Sequence, residues 1–388
     1  MIQGAPLEGL RVIELARVLA GPLAGQTLAD LGADVIKIEA PAGDDTRKWG
    51  PPFIEHEGET SAAYYHSANR GKRSIVIDFR TPDGLATLLE LIETADILIE
   101  NFKLGSLEKH GLDYDSLHQR FPHLVYCSIT GFGHSGPYAH RAGYDFIIQG
   151  MTGLMSVTGD PAGQPQKAGI AITDILTGVY AVSGILAALR VKDETGLGQH
   201  VDMSLMDTGV GVMTNQAMNY LSTGHAPQRM GNAHLNLTPY QVFDCADGWI
   251  IIATGNDGQY AKLCELLGLH EMIEDPKFVT NAARLANRDE MTARLTERTH
   301  QRTKADLLAG CEAHGVPAGP INDMAEVFAD PQVKARGLEL HLDGVPGVRS
   351  PFAFSDSRLA LDKPSPTLGG DTDDILAELK ALRASTPD

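Results

Sequence analysis

The sequence has only four cysteines in 388 residues, Cys127, Cys245, Cys264 and Cys311, and no two of them form a CxxC pair. That scarcity argues against a disulfide-stapled scaffold and a cysteine zinc site, and free thiols suit a reducing compartment. Each is read as a plain buried thiol. No stretch approaches the roughly 18 uninterrupted apolar residues of a membrane span. The opening MIQGAPLEGLRVIELA has no basic region, apolar core and small-residue cleavage site, and it is not the Arg-rich, acid-poor composition of a transit peptide. A cytoplasmic location with no membrane partner is the expectation. Positive charge is scarce as well: 32 Lys and Arg against 50 Asp and Glu leave a net charge of −18, which argues against nucleic acid or anionic membrane as a partner. A small anion held by a local group of cations and backbone amides remains compatible with that charge. There is no GxGxxG after a strand, no P-loop, no HExxH, no GxSxG, no low-complexity segment and no internal repeat, so the common nucleotide, zinc and serine-hydrolase motifs give no lead.

What is present is ample core material. Hydrophobic residues make up 43% and charged residues 21%, an ordinary globular balance, and the length exceeds what one core usually fills, so two domains are expected. LRVIELA, ADVIKIEAP, SIVIDFR, ADILIENF and LVYCSITGFG read as strands, separated by helical stretches such as VLAGPLAGQTLADLG and PDGLATLLELIETA. Strands alternating with helices indicate βαβ units and a parallel sheet, and short apolar runs fit strands buried on both faces. A long helix is predicted from Asp174 to about Arg190. It is apolar nearly all round, so it is expected to be buried. GQHVDMSL adds a further strand. After the Gly-, Asn- and Pro-rich STGHAPQRMGNAHLNLTPY the pattern changes to a hairpin, YQVFDCADGWIIIATG, and amphipathic helices. The expected fold class is α/β, with a large domain over residues 1–224 and 326–388 and a smaller α+β domain over 225–325. In the tail, VRSPFAFS and RLALD read as strands and DDILAELKALR as a last helix.

Read from the residues alone, four places carry chemistry, and each has a plain alternative. VLAGPLAG is a strand-to-helix turn that either holds an anion at a helix N-terminus or simply packs on the sheet. NRGKRS, Asn69 to Ser74, sets three cations beside Gly71, as a phosphate patch or a solvated loop. ATGNDGQ, Ala253 to Gln259, is a lid or a turn into a helix. Asp174, between AGIAI and the apolar helix, is a helix N-cap or a carboxylate nucleophile kept ionised by the same amides, and the two roles are compatible.

From LEGLRVIEL to the final helix, nearly the whole chain resembles the family III (CaiB/BaiF) CoA-transferases, the group that includes formyl-CoA transferase and carnitine CoA-transferase. The segments that carry the resemblance are LEGLRVIELARVLAGPLAGQTLADLGADVIKIE, GDDTRKWGPPF, NRGKRSIVID, ENFKLGSLEKHGL, SITGFGHSGPYAHRAGYD, AITDILTG, GQHVDMSL and HGVPAGPIND. Similarity is greatest to the succinyl-CoA:glutarate subgroup, which shares the ARVLAGP, AGDDTRKWGPPF and GNDGQ-like stretches. The resemblance implies a doubly wound, Rossmann-like large domain built from both chain ends, and two subunits threaded through one another as an interlocked homodimer. It makes Asp174 the nucleophile. It places Val18, Leu19 and Ala20 along the thioester and pantetheine, Lys72 and Arg73 near the adenine nucleotide, Asn101 on the CoA arm, Lys109 near a phosphate, and Tyr144 and Asp145 among the CoA-binding positions. Gly255, Asn256, Asp257 and Gly258 are the implied lid. Ala40 and Pro41 depart from relatives that carry arginines after IKIE, which removes one phosphate contact. Coenzyme A and acyl-CoA enter as substrates, with no permanently bound cofactor and no metal.

Two other functions fit the same resemblance or fold. An α-methylacyl-CoA racemase would need a base where this chain has Tyr144, and a tyrosine with an ordinary pKa near 10 is a poor general base at neutral pH. A non-catalytic acyl-CoA-binding protein would not need the nucleophile. For the transferase, a C4 to C5 dicarboxylate is the expected acid, with Arg17 beside the thioester turn either clamping the distal carboxylate or making a surface ion pair.

Overall fold

The computed structural model describes residues 4–385. Six short runs, five of them rich in Ile, Val and Leu, form one sheet in which every neighbouring pair is parallel: β1 (Arg11–Glu14), β2 (Asp34–Glu39), β3 (Arg73–Val76), β4 (Ile97–Glu100), β5 (Val125–Thr130) and β6 (His200–Ser204). The spatial order is β3-β2-β1-β4-β5-β6. The direction of winding reverses between β1 and β4, and in open α/β sheets that reversal leaves a crevice at the carboxyl ends of the two strands.

Successive strand residues face opposite sides, and both sides are covered. Val12, Val35, Ile97 and Val125 point into one apolar cluster with helices α1 (Ala20–Asp30), α4 (Asp145–Met151), α5 (Ile172–Thr195) and α6 (Leu205–Gly211). Ile13, Ile36, Leu98 and Tyr126 point into a second cluster with α2 (Pro82–Glu93), α3 (Tyr114–Arg120) and the C-terminal α10 (Thr372–Ser385), which contributes Ile375 and Leu379. The sequence pattern located all six strands; burial on both faces gives five of them apolar runs, while β6 at the sheet edge is the mixed HVDMS.

Two compact units emerge. The first comprises residues up to Leu154, Lys167–Gly224 and the segment from Gln332 onward; the second comprises Met155–Gln166 and His225–Pro331. Residues 155–166 therefore go with the second unit, although the linear division of the sequence put them in the first. Their polar groups explain it: Gly231 donates its amide to the Gly159 carbonyl (3.1 Å), and Arg229 donates to the carbonyls of Asp160 (3.1 Å) and Gly163 (3.0 Å). Taken by itself, the second unit is a three-stranded antiparallel sheet of β7 (Tyr240–Cys245), β8 (Gly248–Ala253) and β9 (Ala318–Pro320). It packs on α7 (Asp257–Leu267), α8 (Arg288–Thr299) and α9 (Lys304–His314) through Phe243, Ile250, Leu263, Met291, Leu295 and Leu307. All four cysteines are buried free thiols.

Two expectations fail. Apart from Val348, which ends a hairpin strand, VRSPFAFS forms no strand, nor does RLALD; the hairpin lies earlier, at Glu339–Leu342 and Val345–Val348, and Pro351 stops any continuation. Helix α5 is not buried all round. One side joins the core through Ala181, Val182, Ile185, Ala188 and Leu189, while Val179, Tyr180, Leu186 and Val191 are exposed. A single chain supplies a covering layer for only one face of this apolar helix.

Candidate active site

The turn from β1 into α1 carries backbone strain. Val18 has φ 73°, in the left-handed region, where a β-branched residue is a true outlier costing on the order of 1–3 kcal/mol. Its surroundings hold it there. Asn101, just past β4, clamps the preceding residue on both sides: its Oδ1 accepts from the Arg17 amide (2.9 Å) and its Nδ2 donates to the Arg17 carbonyl (2.6 Å). The Val18 amide points at the Asp44 carboxylate (3.3 Å), which is itself anchored by the Lys37 ammonium (3.0 Å) and the Thr46 amide (3.0 Å). Beneath lies a fully buried ionic group in which Glu14 Oε1 accepts from both Lys37 (3.0 Å) and Lys72 (2.9 Å). Two acids, Glu14 and Asp44, balance two lysines, which is the condition for burying such charges. Helix α1 then starts at Ala20 with no side chain capping its first amides.

Asp174 occupies the first turn of α5, not its cap. The cap residue is Ala171, which has no side chain to offer. The amides are satisfied from α4 instead: Asp145 Oδ1 accepts from the Thr173 amide (2.8 Å), the Thr173 hydroxyl (2.6 Å) and, more weakly, the Asp174 amide (3.4 Å), while its Oδ2 accepts from Gln149 (2.7 Å). The Asp174 carboxylate is thereby left over. It is half-buried and has no hydrogen-bond or ion-pair partner among the described residues. Burial, with the Asp145 charge adding, pushes its pKa from an ordinary 3.8 up to about 7. The expected stabilisation by the helix amides is corrected here: they are spent on Asp145, not on the Asp174 carboxylate.

These elements enclose a cavity of about 230 Å³ at the carboxyl ends of β1, β4 and β5, lined by Arg17, Val18, Leu19, Ala20, Asn101, Tyr144 and Asp174. A second cavity of about 320 Å³ shares Arg17 and Phe102 with the first and extends past Ala40, Gly43, Phe79 and Arg80. Arg17 stands at the junction. Its side chain is 50% exposed, its guanidinium pairs with Asp45 (3.3 Å; 59% exposed) and lies over the Phe102 ring (5.6 Å). Tyr144, exposed, lines the first cavity.

Several expected contacts fall elsewhere. Lys72 is buried on Glu14, the Pro22 carbonyl and Asn69, so it is structural and unavailable to a nucleotide. Arg73 spends its guanidinium on Asp34 (2.6 Å) and Glu378 (2.7 Å), tying α10 to the sheet edge. Lys109 is exposed on a 3-10 turn at Glu108–His110, outside both cavities. Asp145 spends Oδ1 on the first turn of α5 and Oδ2 on Gln149 of its own helix, which corrects its expected contact with CoA. In the second unit the stretch from Gly255 to Gly258 forms the start of α7. Asn256 Oδ1 accepts from the Gln259 amide (2.9 Å), the Gly255 amide donates to Gln259 (2.7 Å), Asp257 pairs with Arg284 (2.6 Å), and Gly258 lies in the first turn.

Reasoning from the sequence missed four residues. Arg141 and Lys103 line the first cavity, and Arg141 lies over the Tyr138 ring (4.5 Å) with no acidic partner among the described residues. Tyr64, with Trp49 edge-on at 5.3 Å, has its phenol pushed up by burial and then by the charges of Asp174 and Asp145. Only the HRAGYD and TRKWG stretches hinted at Arg141 and Trp49. No group of His, Cys, Asp and Glu among the described residues is placed to hold a metal ion.

A parallel sheet whose carboxyl ends open on a cavity with an unpaired carboxylate is the arrangement of an α/β enzyme site. The chain belongs to the family III CoA-transferases: it matches the CoA-transferase family III model over residues 7–372. It is 55% identical to the succinate–glutarate CoA-transferase of Agrobacterium fabrum over 98% of both chains. Identity to the human succinyl-CoA:glutarate CoA-transferase is 42%, over 96% of this chain and 86% of the relative. The crystal structure of a CaiB/BaiF family protein from Brucella suis superposes with a TM-score of 0.89 at 60% identity, covering 97% of this chain and 100% of that one. The chain is thus an enzyme of the CoA-transferase class, and CoA thioesters are its substrates.

Proposed function

We propose that this enzyme moves coenzyme A between succinyl-CoA and glutarate, or a C4 to C5 dicarboxylate close to it, through covalent intermediates on Asp174. The observation that carries the covalent part is the leftover carboxylate: the one acid in the cavity that no neighbour claims. An Asp174 oxygen attacks the thioester carbonyl of succinyl-CoA, the C–S bond breaks, and a mixed anhydride and CoA thiolate result. The thiolate then attacks the aspartyl carbonyl and expels succinate, leaving an aspartyl-CoA thioester. A glutarate carboxylate attacks that thioester and releases the thiolate, which takes the glutaryl group and frees Asp174. Carboxylates and thiolate exchange without net proton or electron transfer, so no further reactant is consumed.

The lining of the two cavities supports the other roles. The Val18–Ala20 turn lines the thioester, Asn101 fixes that turn, and the second cavity, past Arg17 and Phe102, takes the nucleotide end of CoA, with Ala40 offering it no charge and Arg80 an exposed cation of its lining. Arg17 meets the distal carboxylate of the acid. Its present pairing to exposed Asp45 is worth about 1 kcal/mol or less and exchanges readily.

The large unit is read as a doubly wound, Rossmann-like domain, supported by its strand order and its two covered faces. The exposed Val179, Tyr180, Leu186 and Val191 of α5 support an interlocked homodimer, because an apolar helix face needs a cover. Four buried thiols suit the reducing cytoplasm. The test of the substrate class is a panel of acceptor acids with succinyl-CoA as donor. Glutarate and its C4 to C5 neighbours are expected to lead, and a preference for formate, oxalate or carnitine would overturn it.

A further inference from the structure

Three glycines stack the site together. On α1, a Cβ at Gly21 would run into the side chain of Ala16, and one at Gly25 into the buried Glu14 carboxylate, so α1 lies directly on the β1 layer. On α5, a Cβ at Gly178 would lie 2.6 Å from the Ala20 carbonyl oxygen and 3.4 Å from Leu23 Cβ. The first of these contacts is backbone, at the residue that opens α1, and backbone cannot swing aside as a side chain can. Gly178 is one helical turn beyond Asp174, on the same face of α5. Glycine in a helix interior is otherwise unfavourable, so a reason specific to this position is called for.

We propose that Gly178 is a positioning residue for the transfer reaction: the missing side chain lets α5 close on the first turn of α1, and so sets the distance between the Asp174 carboxylate and the Val18–Ala20 turn. The proposal rests on the reading of Asp174 as the nucleophile. A methyl group at 178 forces the helices apart by several tenths of an ångström just where the attacking oxygen must reach the thioester. A misplacement approaching 1 Å costs on the order of a hundredfold in rate.

The test compares Gly178→Ala with Gly184→Ala on the same helix, where the added Cβ would lie 2.8 Å from a side-chain methyl of Val201 and meet no backbone atom. Both gain helix propensity. Gly178→Ala is expected to lower kcat by about 10- to 100-fold, with KM for the acid and the Kd for CoA within about twofold of the parent, and with slower formation of the enzyme-bound acyl intermediate in single-turnover experiments. Gly184→Ala is expected to keep the parent kcat. Parent kcat in a folded Gly178→Ala, or losses confined to the folded fraction and to CoA affinity, would overturn the proposal. Should Gly178→Ala not fold, Ala181→Val carries the test, since Ala181 is fully buried in the same cluster as Ala20 and Ala24. It is expected to lower kcat about threefold or more, and parent kcat in that folded variant would overturn the proposal. If the parent enzyme transfers CoA but acquires no acyl group on Asp174, the covalent reading fails independently of any effect at 178.

Discussion

Replacing Asp174 by asparagine should make the protein more stable at neutral pH and above, by an amount that grows between about pH 4 and pH 7 and is constant beyond. The native state holds this carboxyl at about 7 instead of 3.8, a rise of roughly three pH units. At about 1.4 kcal/mol per unit, the full penalty on the ionised form is about 4 kcal/mol. The group is half-buried and solvent still screens it, so about 2 kcal/mol is a reasonable magnitude. The sign follows from proton linkage. The folded state binds the proton more tightly than the unfolded chain, so stability falls as pH rises between about 4 and 7, and the loss is complete above that window. Asparagine imitates the protonated acid and escapes the penalty. Urea unfolding of both proteins at equal concentration, from about pH 4 to pH 8, should show curves that coincide at the acid end and separate to about 2 kcal/mol at the alkaline end. Equal stability throughout, or a less stable Asp174→Asn at pH 8, would refute the claim that the fold strains against this charge. The same titration requires kcat/KM of the parent to fall as pH drops below about 7, because the protonated acid is no nucleophile.

Other variants separate structural from chemical roles. Asp145→Asn removes a charge that raises the Asp174 pKa, so the acid limb of kcat/KM should move to lower pH; an unmoved limb would contradict that coupling. Lys72→Met leaves Glu14 short of a partner in the buried group and should cost about 3–5 kcal/mol of stability, read by urea unfolding, with CoA affinity of the folded fraction unchanged. A weakened CoA affinity at full stability would restore Lys72 to the nucleotide. Arg17→Met should depress transfer to dicarboxylates by about a hundredfold or more and transfer to a monocarboxylate of like length far less. Asp45→Ala, by freeing Arg17, should lower the dicarboxylate KM by at most about fivefold.

Five of the six strands and most helices were legible because burial on both sheet faces leaves an apolar signature that a local window can see; the edge strand β6, HVDMS, carries a weaker one. The interior charges were not. Lys72 reads as part of a basic patch because Glu14, 58 residues away, becomes its partner only in the folded chain. Asp174 reads as a cap because Asp145, which supplies the amides with an acceptor, lies 29 residues earlier in the sequence. The resemblance to a family put Val18, Leu19, Ala20, Asn101, Tyr144 and Asp174 on one list, and the structure brings them around one cavity. It could not say which charged residues were already spent: Arg73, Lys72 and Asp145 all are. Nor could an apolar helix pattern show which face of α5 lacks a cover, since the sequence on both faces is alike.

The central claim is that the acyl group passes through Asp174. The most direct measurement is to incubate the enzyme with succinyl-CoA, trap with hydroxylamine, and locate the modification by peptide mass spectrometry. The account predicts a hydroxamate confined to the peptide containing Asp174, absent from Asp174→Ala, whose transfer activity falls by a factor of about a thousand or more. Continued transfer by Asp174→Ala above that level, or a label on any other residue, would contradict it.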